Sequence, residues 1–70
     1  MSSMTLTPVQ RGVVTDLQDG VILRTTTHSF PPYAEYALYG LLWRVQWRTF
    51  EALRRKGAIT HKHSNCWVVA

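Results

Sequence analysis

The sequence predicts one small α+β domain, in which two helices pack against short strands. A chain of 70 residues has room for one domain, and its apolar fraction of 46% is ordinary for a globular protein. Two segments show helical spacing of apolar residues, and the segments between and after them are rich in β-branched and aromatic residues. We expect a flexible N-terminal lead over residues 1–6 and a folded domain over residues 7–70.

The first helix is predicted over residues 8–19. Thr7 is a favourable N-cap, Pro8 occupies the first helical position, where no N–H is needed, and Gln10 completes a capping box. Gly20 marks the end of the helix. The apolar stripe that is expected to face the core consists of Val9, Val13, Val14 and Leu17.

A strand is predicted directly after Gly20, because residues 21–27 are rich in β-branched side chains. Residues 28–32 are expected to form a loop, since Pro31-Pro32 cannot continue a sheet ladder. Residues 33–40 fit two alternatives. Tyrosines that recur near period two favour a strand that pairs back on residues 21–27, whereas the alanine, glutamate and leucine content favours a helix. The strand is the preferred interpretation.

A basic amphipathic helix is predicted over residues 46–56. Phe50 and Leu53 lie three residues apart and form its apolar face, while the arginines fall largely on the other side. Glu51 and Arg55 lie four residues apart, a spacing that predicts an ion pair along the helix. A helix with an apolar back and a cationic front anchors in a small core and presents charge to a polyanion.

The C-terminal segment is predicted to be a β-hairpin. Gly57 ends the basic helix, and residues 58–63 and 66–69 have the composition of strands. Ser64-Asn65 is a tight turn between them. The predicted order is therefore helix, strand, an element that is either strand or helix, basic helix and hairpin.

The charge of the chain is unevenly distributed. The formal net charge of +4 divides into −1 for residues 1–40 and +5 for residues 41–70. This asymmetry favours an anionic partner for the C-terminal half, and nucleic acid is the commonest candidate. The competing explanation is that the charge only maintains solubility.

The order of elements and the run from Val45 to Ile59 resemble the winged helix-turn-helix family. The run looks like a recognition helix and first wing strand: an apolar residue, a polar cap, Thr, an apolar residue, Leu, basic residues, Gly and an apolar residue. The segment from Thr7 to Gln10 looks like the start of the first helix of that family. Small phage and prophage proteins often carry this combination in chains of this length. The resemblance implies a transcription regulator that binds double-stranded DNA as a dimer.

Residues 33–44 determine how closely the chain follows the family pattern. In the helix-turn-helix arrangement they form the second helix, with Gly40 at a position that must be small. The strand alternative replaces this helix by a hairpin, as in degenerate winged-helix-like domains. Since the second helix normally braces the recognition helix against the phosphate backbone, its loss weakens the expectation of DNA binding.

Seven polar and basic residues are the predicted DNA contacts. Arginine pairs with the two acceptors of a guanine edge and glutamine with an adenine edge, whereas contacts to phosphate give affinity without sequence information. The competing explanation is a solvated helix face, in which basic residues of the last turn favour the helix dipole. The predicted base readers are Arg44, Gln46, Arg48 and Arg55, and the predicted phosphate contacts are Arg54, Lys56 and Lys62.

A second hypothesis is a phage-encoded protein-interaction module that inhibits a host enzyme or defence complex. Such a module would occupy a surface that normally takes nucleic acid, and exposed aromatic residues would anchor it. Trp47 is either a core residue or such an anchor, whereas Trp43 and Trp67 are expected in the core. The predicted anchors are Tyr33, Tyr36, Tyr39 and Trp47.

Other functional classes have little support. No two of the four carboxylates suggest a paired acid and base, so we do not expect an enzyme. The single cysteine, Cys66, excludes an internal disulfide, and with His61 and His63 it gives only a weak zinc pattern, so we expect neither metal nor cofactor. No apolar run approaches the roughly 20 residues of a membrane span, and the N-terminus does not resemble a signal peptide. We therefore expect a cytoplasmic protein without membrane contact.

Overall fold

The computed structural model describes residues 5–70, and these form a small α+β domain, as predicted. Its elements are α1 (Pro8–Leu17), β1 (Leu23–Thr26), β2 (Tyr33–Leu38), β3 (Leu41–Gln46), α2 (Trp47–Arg55), β4 (Ile59–His63) and β5 (Cys66–Val69). The five strands form one antiparallel sheet in the order β3-β2-β1-β5-β4. Residues 1–4 of the predicted N-terminal lead lie outside the described range, whereas Leu6 packs against the core.

Helix α1 begins with the capping box that the sequence predicts. The Gln10 backbone N–H donates to Thr7 Oγ1 at 3.2 Å, and the Thr7 backbone N–H donates to Gln10 Oε1 at 3.2 Å. Pro8 occupies the first turn, where its missing N–H has no intrahelical partner to lose. The helix ends at Leu17, two residues before the predicted boundary, and a turn leads through Gly20 into β1.

Residues 33–46 form a β-hairpin, so the helical alternative for this segment is wrong. Leu38 pairs with Leu41 across a turn in which Tyr39 and Gly40 both have positive φ, 55° and 74°. Two such residues give a turn whose twist matches that of the paired strands. Strand β3 was not predicted, and the basic helix begins one residue later than predicted, because Gln46 is the last residue of this strand.

Helix α2 follows β3 without a linker. Phe50 and Leu53 are buried, as their spacing predicts. The helix ends in a Schellman motif: the Ala58 N–H donates to the Leu53 carbonyl at 3.0 Å, and Gly57, with φ of 76°, donates to the Arg54 carbonyl at 3.1 Å. This geometry needs a residue that tolerates positive φ, which explains why a glycine stops the helix.

The two helices cover one face of the sheet and enclose one hydrophobic core. Trp67 packs edge-on against Phe50 with ring centroids 5.1 Å apart, which agrees with its predicted place. Trp43 was expected in the core but is 45% exposed, because it lies on the edge strand β3. The buried core residues are Val13, Leu17, Leu23, Ala34, Tyr36, Val45, Phe50, Leu53, Ala58 and Ile59.

The sheet directions bring three connections to the same end of the molecule, which we call the junction end. These are the loop of residues 27–32, the β3–α2 junction at Gln46-Trp47, and the Ser64-Asn65 turn. The last of them is held against the sheet, because the Thr25 N–H donates to the Asn65 carbonyl at 2.9 Å. The tip of the terminal hairpin β4–β5 therefore lies in the plane of the sheet.

Neither helix of the described chain has the length and apolar character needed to cross a membrane.

A candidate nucleic-acid interface at the start of helix α2

A groove with a volume of about 660 Å³ opens at the junction end, which we call the basic groove. The end of β3 and the first turn of α2 form one side, and the loop before β2 forms the other. Three of the four predicted base readers lie along it, although they belong to two different elements. The residues that line the basic groove are Ser29, Phe30, Pro31, Pro32, Tyr33, Arg44, Gln46, Trp47 and Arg48.

Arg44 is held in the basic groove by an aromatic ring. Its guanidinium carbon lies 4.1 Å from the centroid of the Tyr33 ring, a cation–π contact between neighbouring strands. The register places Tyr33 opposite Gln46 and Arg44 opposite Glu35 on the solvent-facing side of the sheet. Among residues 5–70 the Arg44 side chain makes no hydrogen bond or ion pair, so the Tyr33 ring holds it in place while its N–H donors remain available.

The start of α2 adds backbone donors to the basic groove. Gln46 is the N-cap, but its side chain makes no capping hydrogen bond, and the first turn contains no acidic residue. The first N–H groups of a helix lack intrahelical acceptors and carry a partial positive charge. Arg48, in this same turn, is exposed. The geometry therefore combines helix N–H groups, Arg48 and Arg44 around one opening.

A second cationic feature runs along the outer side of α2. Arg48, Ala52 and Arg55 follow one another at spacings of four and three residues, opposite Phe50 and Leu53, and thus form one stripe. The two arginines are separated by about 10 Å along the helix axis, since each residue advances it by about 1.5 Å. Within residues 5–70, neither arginine makes an ion pair or a side-chain hydrogen bond. The small Ala52 between them allows close approach of a flat surface.

Two of the predicted phosphate contacts are occupied by internal partners. Lys56 Nζ donates to the Thr5 carbonyl at 2.6 Å and to Gln10 Oε1 at 2.8 Å, so it connects the end of α2 to the start of α1. Arg54 pairs with Glu51 at 2.5 Å, which takes the place of the predicted pairing of Glu51 with Arg55. The hydrogen bond from Arg54 lowers the pKa of the Glu51 carboxyl. Lys56 and Arg54 are therefore engaged in contacts within the domain.

The junction end is cationic, and two carboxylates border it. None occurs in residues 26–32, 43–50 or 60–66, the three segments that meet there, but Glu35 lies opposite Arg44, and Glu51 lines a groove with Ser64 and Asn65. Lys62, on β4, is exposed and makes no ion pair within the part of the chain that the structure describes. The carboxylates of Asp16 and Asp19 belong to α1 and the turn that follows it, toward the opposite end of the sheet. An anion approaching the junction end therefore meets a net positive charge.

The residues of the protein-interaction hypothesis are dispersed. Tyr33 and Trp47 line the basic groove, and the Trp47 ring also packs on Phe50 with centroids 4.7 Å apart. Tyr36 is only 5% exposed and belongs to the core, so it is not available as a surface anchor. Tyr39 is 86% exposed but lies in the β2–β3 turn, at the opposite end of the sheet. The structure thus brings together two of the four predicted anchors, Tyr33 and Trp47.

The weak zinc pattern does not assemble. His63 and Cys66 are partners across β4 and β5, but His61 pairs with Trp67 on the helix-covered side of the sheet, and a register shift separates it from His63. The His61 Nε2 instead lies 2.7 Å from the Ser64 carbonyl, to which it donates. No group of three potential metal ligands occurs among residues 5–70.

Phe30 is a groove residue that was not predicted from the sequence. It is 98% exposed in the loop of residues 27–32 and lines the basic groove. The sequence signal for this residue is a large apolar side chain beside two prolines, because a short loop of this kind cannot readily bury it.

Comparison of the chain with protein-family models, curated protein sequences and solved structures finds no match.

Proposed function

We propose that this protein binds double-stranded DNA with the junction end, in the manner of a small phage or prophage transcription regulator. The observation that carries the proposal is the convergence of Arg44, Gln46 and Arg48 on one groove at the start of α2. Arginine and glutamine are the side chains that read guanine and adenine edges in the major groove. In helix-turn-helix proteins the N-terminal residues of the recognition helix make these contacts.

The dimensions of α2 support this mode of binding. An α-helix with its side chains fits a major groove about 12 Å wide. Arg48 and Arg55 lie about 10 Å apart along the outer stripe, so one is positioned for base edges and the other for the flanking backbone. Lys62 and the Ser64-Asn65 turn supply further contacts to phosphate at the same end.

The hairpin β2–β3 takes the role that a second helix has in the helix-turn-helix arrangement. Phe50 and Leu53 anchor α2 to the sheet, and the absence of a linker after Gln46 fixes its direction. The basic helix is still followed directly by a hairpin, as the run from Val45 to Ile59 predicts, although the hairpin β2–β3 departs from the winged-helix order of elements. The sheet thus supports α2 on its apolar side, in place of the second helix of the helix-turn-helix arrangement.

The proposal is tested by the fluorescence anisotropy of a labelled duplex of mixed sequence, titrated with the protein at several salt concentrations. We expect binding at low salt, with log affinity falling linearly as log salt rises. Arg48→Ala should weaken binding roughly tenfold or more, because a base contact or a direct phosphate contact is lost. Arg55→Ala should reduce the salt slope by about one unit.

The matched control is Arg11→Ala, which removes the same charge from the exposed side of α1. Its effect should be small, because Arg11 is outside the basic groove and the α2 stripe. An Arg11→Ala protein that loses as much affinity as Arg48→Ala would show that only net charge matters. Absence of binding to any duplex at low salt would refute the proposal.

The aromatic side of the basic groove supports a second candidate, a complex with a host protein. Phe30 is almost fully exposed, and Tyr33 and Trp47 lie beside it in the same opening. Aromatic residues around a concave centre are typical of binding hot spots. A pull-down from host lysate that survives nuclease treatment and is abolished by Phe30→Ala would favour this function over DNA binding.

A further inference from the structure

The two edge strands of the sheet differ in how they are protected. The β4 edge carries Lys62 and a register shift between His61 and His63, and both features discourage pairing with another strand. The β3 edge has neither. Its six residues pair with β2 in unbroken register, contain no proline and include a single charge, that of Arg44.

The β3 edge is also unusually apolar. Leu41, Leu42 and Trp43 are 59%, 68% and 45% exposed, in three consecutive positions. A long, regular, apolar edge is a template for pairing with another chain, because its unpaired N–H and C=O groups are already aligned. We propose that β3 pairs antiparallel with β3 of a second copy of this chain about a two-fold axis at Trp43. This inference does not depend on DNA binding.

The turn geometry specifies which backbone groups face outward. In a hairpin closed by two residues, the pair that flanks the turn, Leu38 and Leu41, is hydrogen-bonded. The N–H and C=O groups of Leu41, Trp43 and Val45 therefore point toward β2. Those of Leu42 and Arg44 point out of the sheet and are the groups that a second strand would meet.

These outward groups permit only a few symmetric registers. An axis at Arg44 would place two arginines directly opposite each other, which is unfavourable. An axis at Leu42 pairs a shorter stretch, because the second strand runs past Gly40 into the turn. An axis at Trp43 pairs residues 41–45, five of the six residues of the strand, sets Leu42 opposite Arg44 of the second copy, and brings the two Trp43 residues together. The separation of the two arginines excludes the axis at Arg44, and the length of the paired stretch disfavours the axis at Leu42. The axis at Trp43 is therefore the favoured register.

The surroundings of Trp43 extend the contact beyond the strand. A groove of about 310 Å³ lies on the helix-covered side, between α1 and β3, and Val9 and Val13 line it together with Trp43. Val9 is 66% exposed. Side chains of a second copy that enter this groove would cover Val9 and Trp43 in addition to the leucines of β3. A two-fold contact of this kind is isologous and closed, so it stops at the dimer.

The register is tested by cross-linking in a Cys66→Ser background. Residues that meet in a non-hydrogen-bonded antiparallel pair have Cα atoms about 4.5 Å apart, within the range of a disulfide. Trp43→Cys should therefore give a covalent dimer on mild oxidation. Tyr39→Cys is the matched control: it is more exposed but lies in the turn, away from the axis, and should remain monomeric. Equal cross-linking of the two variants, or no cross-linking of Trp43→Cys, would overturn the register.

A second measurement keeps the inference testable if Trp43→Cys does not fold. Sedimentation equilibrium of the unmodified chain should show a monomer–dimer equilibrium. Leu42→Lys should raise the dimer dissociation constant at least tenfold, because it places a charge in the paired strand. Tyr39→Lys introduces the same charge at an exposed turn residue outside β3 and should leave the constant unchanged. A chain that is monomeric at every concentration, or equal effects of the two lysines, would refute pairing through β3.

Discussion

The phenol of Tyr36, in the middle of β2, donates a 2.6 Å hydrogen bond to Oδ2 of Asp16 on α1. The phenol is buried, and burial together with the bond to the Asp16 carboxylate raises the pKa of Tyr36 well above its ordinary value. This contact fixes α1 on the sheet, while Phe50 and Leu53 fix α2 beside it. The small core therefore includes one polar connection between its two layers.

Removal of this hydroxyl should destabilise the protein. Tyr36→Phe keeps the ring in the core but leaves the partly buried Asp16 carboxylate without this donor, and a hydrogen bond to a charged group contributes about 1.5–3 kcal/mol. We expect a loss of that size in urea unfolding followed by circular dichroism. Tyr39→Phe, at an exposed turn position, is the control and should change the free energy of unfolding by less than about 0.5 kcal/mol. Equal losses would contradict the assigned contact.

The same contact predicts a loss of stability at alkaline pH. Since the pKa of Tyr36 is higher in the folded state than in the unfolded chain, its contribution is complete below the ordinary phenol pKa of about 10 and decreases as pH rises above it. The difference in unfolding free energy between the unmodified chain and Tyr36→Phe should therefore shrink as pH rises from about 10 to 11. A difference that stays constant over this range would argue against a raised pKa.

Lys56 and Lys62 should have opposite phenotypes. Lys56→Ala removes the hydrogen bonds to the Thr5 carbonyl and Gln10, and we expect it to lower the free energy of unfolding by about 1 kcal/mol. Lys62→Ala removes an exposed side chain on β4 and should leave stability unchanged, while it weakens DNA binding. Urea unfolding and anisotropy measured on both variants separate these effects. The reverse pattern would show that Lys56 is the DNA contact.

Glu51 should limit the affinity for DNA. It lies on α2 close to the arginine stripe and holds Arg54 in an ion pair. Glu51→Gln removes a negative charge and releases Arg54, so we expect roughly two- to fivefold tighter binding to a duplex at low salt, with a steeper salt dependence. Asp19→Asn, in the turn after α1 toward the opposite end of the sheet, is the matched charge control. No gain in Glu51→Gln, or the same gain in both variants, would place the DNA away from α2.

Local sequence signals predicted much of the fold. The Thr7 capping box, the Phe50–Leu53 spacing and the Gly57 stop each depend on residues within one turn of the chain, and the structure confirms all three. The Ser64-Asn65 turn and the strands that flank it also depend on neighbouring residues. These features needed no knowledge of which elements pack together.

Strand β3 and the internal contacts of the basic residues were not predictable in the same way. Leu41, Leu42 and Trp43 do not alternate with polar residues, because an edge strand exposes both its faces and its side. Lys56 meets Thr5 across 51 positions of sequence, so its structural role depends on how α1 and α2 pack. The sequence located the basic residues of the candidate site, but only tertiary contacts separate available cations from occupied ones.

Gln46 is both the last residue of β3 and the N-cap of α2, and this double role limits how the chain tolerates insertions. One extra residue at this boundary would rotate the helix by about 100°. This rotation would move Arg48 away from Arg44 and would also remove Phe50 from its contacts in the core. The loop of residues 27–32 has no such coupling, because it joins two strands through a solvent-exposed path. Length variation in homologous chains should therefore accumulate before β2 and be absent between β3 and α2.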